Sequence, residues 1–258
     1  MSHLRRIAVS AWLPTLILTV WWGVSRNSTS AYFPPLSVIA QTFLDTWFWD
    51  RFQTDLMPSV YRFLTGFALA ITLGVAIGVL LGLNRTLRLL TEPLVDFFRA
   101  LPKPALVPVA ILALGIGDGM QIALITFGAF WAVLLNTIDG VRGTDPQYFD
   151  VARSYGLSWR TRIRKIVLPN AAPQIFAGAR LALAIALILM VISEMAGSVN
   201  GIGYFVLLSQ QTFAIPQMWA GIILLGLIGY LSNAVFVMVE HLVLAWHRGW
   251  RGKLADAS

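Results

Sequence analysis

The sequence predicts an all-α integral membrane protein with six transmembrane helices and both termini in the cytoplasm. Three observations carry this. Of 258 residues, 57% are hydrophobic and 12% charged, with mean hydropathy +0.73, whereas an ordinary soluble domain is about a quarter charged. Apolar runs near the ~20 residues needed to cross a bilayer recur along the chain. The basic residues, which give a net charge of +7, fall mainly in alternate connecting segments.

The first run, Ile7 to Val24, follows Arg5 and Arg6 and contains Trp12, Trp21 and Trp22. A cleaved signal peptide would begin in the same way, but the run is long and no small-x-small cleavage site follows it. Pro34-Pro35 then precedes an amphipathic stretch, Ser37 to Phe48, expected as a short surface helix, in the most acidic part of the chain (Asp45, Asp50, Asp55). The second span, Leu56 to Leu83, carries Gly74, Gly78 and Gly82 at four-residue spacing. Such a stripe lets another helix approach closely.

Asn84 to Arg88 reads as a short basic loop. Pro93 to Gly140 must hold two spans that turn at Gly115-Ile116-Gly117-Asp118-Gly119. A third span beginning after Lys103 would be too short, so its start is expected near Pro93, which draws Asp96, Arg99 and Lys103 toward the membrane. Pro102, Pro104 and Pro108 predict a kink or break there. A polar loop, 141–170, precedes a fifth span, Ala171 to Met195, and a sixth, Met218 to Trp246; Ala196 to Gln217 between them has no charge.

With the N-terminus inside, the cytoplasmic segments hold Arg5, Arg6, Arg85, Arg88, Arg99, Lys103, Arg142, Arg153, Arg160, Arg162, Arg164, Lys165, Arg248, Arg251 and Lys253. Arg26 and Arg51 fall outside, and Arg62 and Arg180 within spans. The basic excess is thus explained by orientation, and nucleic acid is not an expected partner. Without cysteine there is no disulfide, thiolate metal site or cysteine nucleophile. No phosphate loop occurs, and Glu240-His241 does not form a His-Glu-x-x-His array. Neither a catalytic residue nor a metal site is expected, so the chain reads as a non-enzyme without a cofactor of its own.

The loop has a specific pattern. Asp150-Val151-Ala152 is followed after three residues by Gly156 and, nine residues on, by Ile166-Val167-Leu168-Pro169. Pro146 can start a first helix, Gly156 can end it, and Ser158 can cap a second. Pro169 is expected to break that helix before the next span. The pattern resembles the signature loop of bacterial ABC importer permeases, Glu-Ala-Ala, three residues, Gly, nine residues, Ile-x-Leu-Pro, with Asp150 for glutamate and Val151 for the first alanine. Arg99-Ala-Leu-Pro102, Leu106-Val-Pro108, Gly115-Ile-Gly117-Asp118, Ser193-Glu194-Met195-Ala-Gly197 and Gly201-Ile-Gly203-Tyr204 resemble motifs of the sulfonate, taurine and nitrate permeases. That group often has an aromatic pair where Ala113-Leu114 stands.

The resemblance extends from Pro58 to the end of the last span. It implies a type I ABC importer permease fold: an N-terminal helix and periplasmic amphipathic segment over 1–57, and a transmembrane core over 58–258 with its coupling loop at 141–170. It also implies a site in a bacterial inner membrane, a second copy of the chain, and ATP-binding cassette ATPase subunits carrying ATP and Mg. An extracytoplasmic substrate-binding protein would complete the importer, with lipid around it. Asp150, Ala152, Tyr155, Gly156, Leu157, Ile166, Leu168 and Pro169 would form the ATPase-coupling elbow. The cargo would be an organic sulfonate, taurine or a nitrate-like anion, or else a pyrimidine precursor, flavin or aromatic acid.

Ionisable residues within spans mark pathways or buried pairs. Arg62 and Glu194 lie at similar depth and could pair or line a pathway. Lys103 could attract an anion or simply face the cytoplasm; Ser198 joins Lys103, Arg62 and Glu194 as a candidate pathway residue, and Ser198 or Asn200 could cap a short outer helix. A proton-coupled transporter would want a mid-membrane carboxylate, and Glu194 lies too near a span end.

Overall fold

The computed structural model describes residues 3–26, 28, 30 and 32–245, with side chains described for these except 3–11, 14, 49 and 50. The side chains of Arg5 and Arg6, and the tail with Arg248, Arg251 and Lys253, all expected in the cytoplasm, lie outside what is described. The described residues form eleven α-helices in the order α1 (His3–Ser25), α2 (Leu36–Asp45), α3 (Met57–Leu83), α4 (Arg85–Ala100), α5 (Val107–Leu114), α6 (Asp118–Arg142), α7 (Pro146–Ser154), α8 (Trp159–Arg162), α9 (Leu168–Gly197), α10 (Ile202–Gln211) and α11 (Ile215–Val243). Among them, four helical stretches are long and apolar enough to cross a membrane: Phe52–Leu83, Asp118–Arg142, Trp159–Gly197 and Ile215–Val243. The pair Arg85–Ala100 and Lys103–Leu114, bent by 90°, makes a fifth if counted as one span. For α1, the described apolar stretch is Thr15–Ser25.

The core is a three-helix sandwich of α3, α6 and α9, and small residues determine its spacing. A Cβ on Gly66, Gly74, Gly78 or Gly82 would lie 2.6–2.8 Å from Ile125, Val133, Thr137 or Val141 respectively. Ala70 and Ala129, both fully buried, fill the intervening turn. Both helices advance by four residues in the same sense, so α3 and α6 run parallel and in register. The predicted stripe is therefore the seam between them, and Gly66 and Ala70 extend it beyond its three glycines. The chain returns antiparallel along α6 as α9: Gly140 meets Gln174 and Ala171, Gly178 meets Asn136, and Gly128 meets Leu189. Phe63, Ile125, Val133, Leu183, Leu189 and Met190 fill the middle.

Several local expectations change. Asn84 to Arg88 is not a loop, because Asn84 caps α4 by accepting a hydrogen bond from the Leu87 amide and Arg85 is already helical. Nor does a span begin at Pro93, which α4 carries in its interior. The helix is amphipathic, with Arg88, Glu92, Asp96 and Arg99 turned toward Asp139 and Arg142 around a cavity of 210 Å³. The break comes at Leu101-Pro102, where both residues are extended, as expected of a residue that precedes proline and of proline itself. The acidic N-terminal segment is a surface helix on one side only. Ile39 and Trp47 are buried, and the Trp47 indole N–H donates to the Ala220 carbonyl at 3.2 Å.

Candidate coupling elbow and buried ion cluster

The two ends of the sandwich carry different chemistry. At one end, Val79, Val141, Val167 and Ala171 close the core, with Phe149 and Ile163 packed against them. From this end projects the elbow formed by α7 and α8. Asp145 caps α7, its carboxylate accepting from the Gln147 amide at 2.9 Å, and Pro146 takes the first helical position. The helix ends in a Schellman motif: the Leu157 amide donates to the Ala152 carbonyl (3.0 Å) and the Gly156 amide to the Arg153 carbonyl (2.9 Å). Gly156 has φ +61°, a conformation that costs a glycine little and a branched residue most. The Ser158 hydroxyl then accepts from the Thr161 amide, and Arg162 Nε donates to the Leu157 carbonyl at 2.8 Å, which fastens the bend.

This places the predicted elbow residues on two faces. Tyr148, Val151, Tyr155 and Trp159 are exposed, Tyr155 to 79%. Ala152 is fully buried and anchors α7 to the bundle. Leu157, Ile166, Leu168 and Pro169 are half-buried, Gly156 and Asp150 exposed, and Asp150 lies 3.8 Å from Arg153. Pro169 does not break the chain. Helical structure runs unbroken over Trp159–Gly197, because a wide π turn, Ile163–Val167, stands before the proline. The wider turn accommodates a residue that offers no N–H.

At the opposite end the starts of α3 and α6, the end of α9 and the start of α10 meet around Arg62. The guanidinium, 3% exposed, lies 2.9 Å from Glu194 Oε1 and 2.6 Å from Asp118 Oδ1. It also donates to the Asn200 carbonyl (3.1 Å) and, more weakly, to the Ser198 hydroxyl (3.4 Å). Glu194, fully buried, accepts as well from the Ser59 hydroxyl (2.7 Å) and the Gly203 amide (2.9 Å). The first turn of α10 is capped from afar. The Gly201 amide donates to Asp55 (2.8 Å) and the Ile202 amide to Ser59 (2.8 Å). Three carboxylate or hydroxyl groups thus face the positive end of one helix.

The expected pairing of Arg62 with Glu194 is present. The expected capping of a helix by Ser198 or Asn200 is not: α10 has Gly201 at its N-cap without a local side-chain bond, since remote groups already take those amides. Sequence reasoning missed Asp55, Ser59 and Asp118 as members of this cluster. A signal was available in Gly201 and Gly203, whose Cβ atoms would lie within 2.5–2.9 Å of Glu194; paired glycines after a buried carboxylate leave room for it. The two ion pairs differ in kind. Removing one partner of a buried pair costs about 3–5 kcal/mol. The Asp118 side chain is 54% exposed, where a pair contributes about 1 kcal/mol or less.

Lys103 is at neither end. Its Cγ lies 3.4 Å from where a Gly128 Cβ would stand, near the middle of α6. The ammonium donates to the Arg99 carbonyl at the end of α4. Arg180 is exposed.

Residues 70–244 match the family described as binding-protein-dependent transport system inner membrane component. Similar proteins include the aliphatic sulfonates transport permease SsuC of Bacillus subtilis strain 168, 33% identical over 93% of this chain and 88% of that protein. The taurine transport system permease TauC of Escherichia coli K12 is 26% identical over 94% and 91%. The bicarbonate transport system permease CmpB of Synechococcus elongatus is 30% identical over 88% and 86%. Among solved structures, the inward-facing MetNI methionine ABC transporter includes a chain of the same fold, with TM-score 0.60 and 20% identity over 73% of this chain and 94% of that one. A matched segment that includes most of the core, the elbow and Glu194, together with relatives aligned over nearly the whole length, establishes the family: this chain belongs to the binding-protein-dependent transport system inner membrane components, as the membrane-spanning permease subunit of an ABC importer.

Proposed function

We propose that this permease carries a small oxyanion-bearing solute, an organic sulfonate, taurine, or a nitrate- or bicarbonate-like anion, powered by a separate ATPase that docks on the α7–α8 elbow. The single observation that carries the coupling half is the elbow's geometry. An exposed patch of Tyr148, Val151, Tyr155 and Trp159 stands on a bend whose inner face is buried in the helix core. A push on this patch is therefore transmitted to α6 and α9 together. The cargo class rests on the relatives, whose names specify sulfonates, taurine and bicarbonate. In this reading the elbow end is cytoplasmic, two copies of the chain form the pore in a bacterial inner membrane, and the Arg62 end receives solute from a binding protein. ATP and Mg reside on the ATPase.

Replacing Gly156 by tryptophan tests the coupling. Its φ of +61° strains any side chain, while nothing lies within 4 Å to clash. The variant is expected to insert normally but to lose co-purification with the ATPase and at least tenfold of ATP-driven uptake; normal uptake would refute the assignment. Lys103→Met tests the cargo. If the ammonium guides an anion at mid-depth, uptake falls while ATPase binding persists. If the lysine only caps α4, uptake is unchanged.

A further inference from the structure

The elbow end of the bundle holds a cavity that the elbow itself does not use. It measures 210 Å³ and lies between α4, the end of α3 and the end of α6, a space for about seven water molecules at ~30 Å³ each. Its floor is apolar: Leu81 and Ile138 are buried, and Val95 packs against them. Its rim is charged and balanced, three arginines (Arg88, Arg99, Arg142) against three carboxylates (Glu92, Asp96, Asp139). Apolar walls with a few convergent polar groups are the usual form of a small-molecule site, and charges above an apolar floor are less screened than on open surface.

The rim does not neutralise itself. Among the described residues, only Arg99 and Asp96 are in close contact across it, at 2.9 Å. Arg142 stands 4.0 Å from Asp139, the outer limit of an ion pair. Arg88 reaches back to the Gly82 carbonyl at 3.4 Å. Among the described residues the Glu92 carboxylate has neither an ion pair nor a hydrogen bond. Arg88 and Glu92 lie at i and i+4 of α4, where opposite charges normally meet, but with the base N-terminal to the acid, the weaker order. The α4 wall therefore presents an arginine and a carboxylate that are free to take a ligand, and the α6 wall adds a loosely paired arginine and carboxylate.

This pattern excludes simpler ligands. No group of three His, Cys, Asp or Glu that could hold a metal exists among the described residues, and three arginines would repel a cation. A plain anion would meet the three carboxylates. A molecule carrying both charges satisfies both sets.

We propose that this cavity is a binding site for a small zwitterion, an oxyanion and an ammonium joined by a short linker: Arg88 and Arg142 take the oxyanion, Glu92 and Asp139 the ammonium. Arginine suits the oxyanion because its planar fork offers two parallel N–H donors. Asp96 and Arg99 close the rim as a fixed pair. A free amino-sulfonate such as taurine and the headgroup of phosphatidylethanolamine both offer this chemistry. The site goes beyond the transport function, since filling it needs neither ATP nor a binding protein.

The test uses the permease purified with its ATPase, without ATP, in phosphatidylglycerol nanodiscs and in discs that also contain phosphatidylethanolamine. Calorimetric titration compares taurine with ethanesulfonate and ethylamine, which carry one charge each. Taurine is expected to bind at least tenfold more tightly than either analogue. Glu92→Gln and Arg142→Met should each weaken it at least tenfold, whereas Arg85→Gln, on the same helix but outside the cavity, should leave it unchanged. If Arg142→Met fails to fold, the isosteric Glu92→Gln decides. Taurine affinity that is the same in both discs identifies a free solute as the occupant. Affinity at least fivefold lower beside phosphatidylethanolamine, or no taurine binding with that lipid retained through purification by the parent and lost from Glu92→Gln, identifies the lipid. Ethanesulfonate binding as tightly as taurine overturns the proposal. So does taurine binding that survives Glu92→Gln, and so does the absence of both taurine binding and Glu92-dependent lipid retention.

Discussion

Replacing Arg62 by methionine is expected to be the most damaging single change to the fold. Glu194 would stay fully buried with the Ser59 hydroxyl and the Gly203 amide as its remaining donors, and the Asn200 carbonyl would lose a donor. An uncompensated buried charge costs about 3–5 kcal/mol, and relief by protonation of Glu194 recovers only part of it. The damage should spread to α10, since Glu194 and Ser59 cap its first turn. Thermal denaturation in detergent gives the ranking: Arg62→Met worst, Glu194→Gln intermediate and Asp118→Asn mildest, the last within about 1 kcal/mol of the parent because its carboxylate is half in water. The double variant Arg62→Met, Glu194→Gln should be less destabilised than the sum of the two by ~1–3 kcal/mol. Equal losses for Asp118→Asn and Arg62→Met would show that the buried and the exposed pair contribute alike.

Gly78→Leu should rank next. A methyl group alone would lie 2.6 Å from the Thr137 Cβ and 3.1 Å from the Leu134 carbonyl oxygen, and the carbonyl belongs to a helix backbone that cannot turn aside. Accommodating leucine requires α3 and α6 to separate along the whole seam, which strips contacts from Gly66 to Gly82 at once. Overpacking costs ~1–3 kcal/mol where only side chains must shift; here the backbone must move, so the upper limit applies. In a protein of this size that amounts to roughly 6–12 °C in melting temperature. Gly226→Leu on α11, where nothing lies within 4 Å, is the control for added bulk. A comparable fall in that control would mean that hydrophobic volume, not the seam, is responsible.

The sites differ in how far they could be read from the chain. The bend of the elbow was legible, since Pro146, Gly156 and Ser158 act through local backbone chemistry that depends on type and spacing, whereas the break expected at Pro169 is replaced by a π turn. The glycine stripe was legible as a packing face, but its partner was not: nothing in Gly74, Gly78 and Gly82 names Val133, Thr137 and Val141. Arg62 and Glu194 were visible as ionisable residues of similar depth. Asp55, Ser59 and Asp118 were not placed beside them, because each reads as an ordinary residue near a helix start until the chain closes around it. The start of the third span was not legible for a related reason. Hydropathy counts residues along a line, whereas α4 gathers Arg88, Glu92, Asp96 and Arg99 on one side, around a cavity shared with Asp139 and Arg142.

The sequence by itself therefore determined the membrane class, the alternation of basic segments, the elbow at Gly156 and the small-residue face of α3, each a consequence of composition or of interactions within one turn of helix. Tertiary structure alone decided that α3 and α6 run parallel in register, that the π turn carries the helix through Pro169, and that Asp118 and Glu194 share Arg62. These depend on atoms brought within about 3 Å across 56 to 132 positions of chain. Such pairings are settled by the fit of whole helix surfaces, which no local pattern encodes.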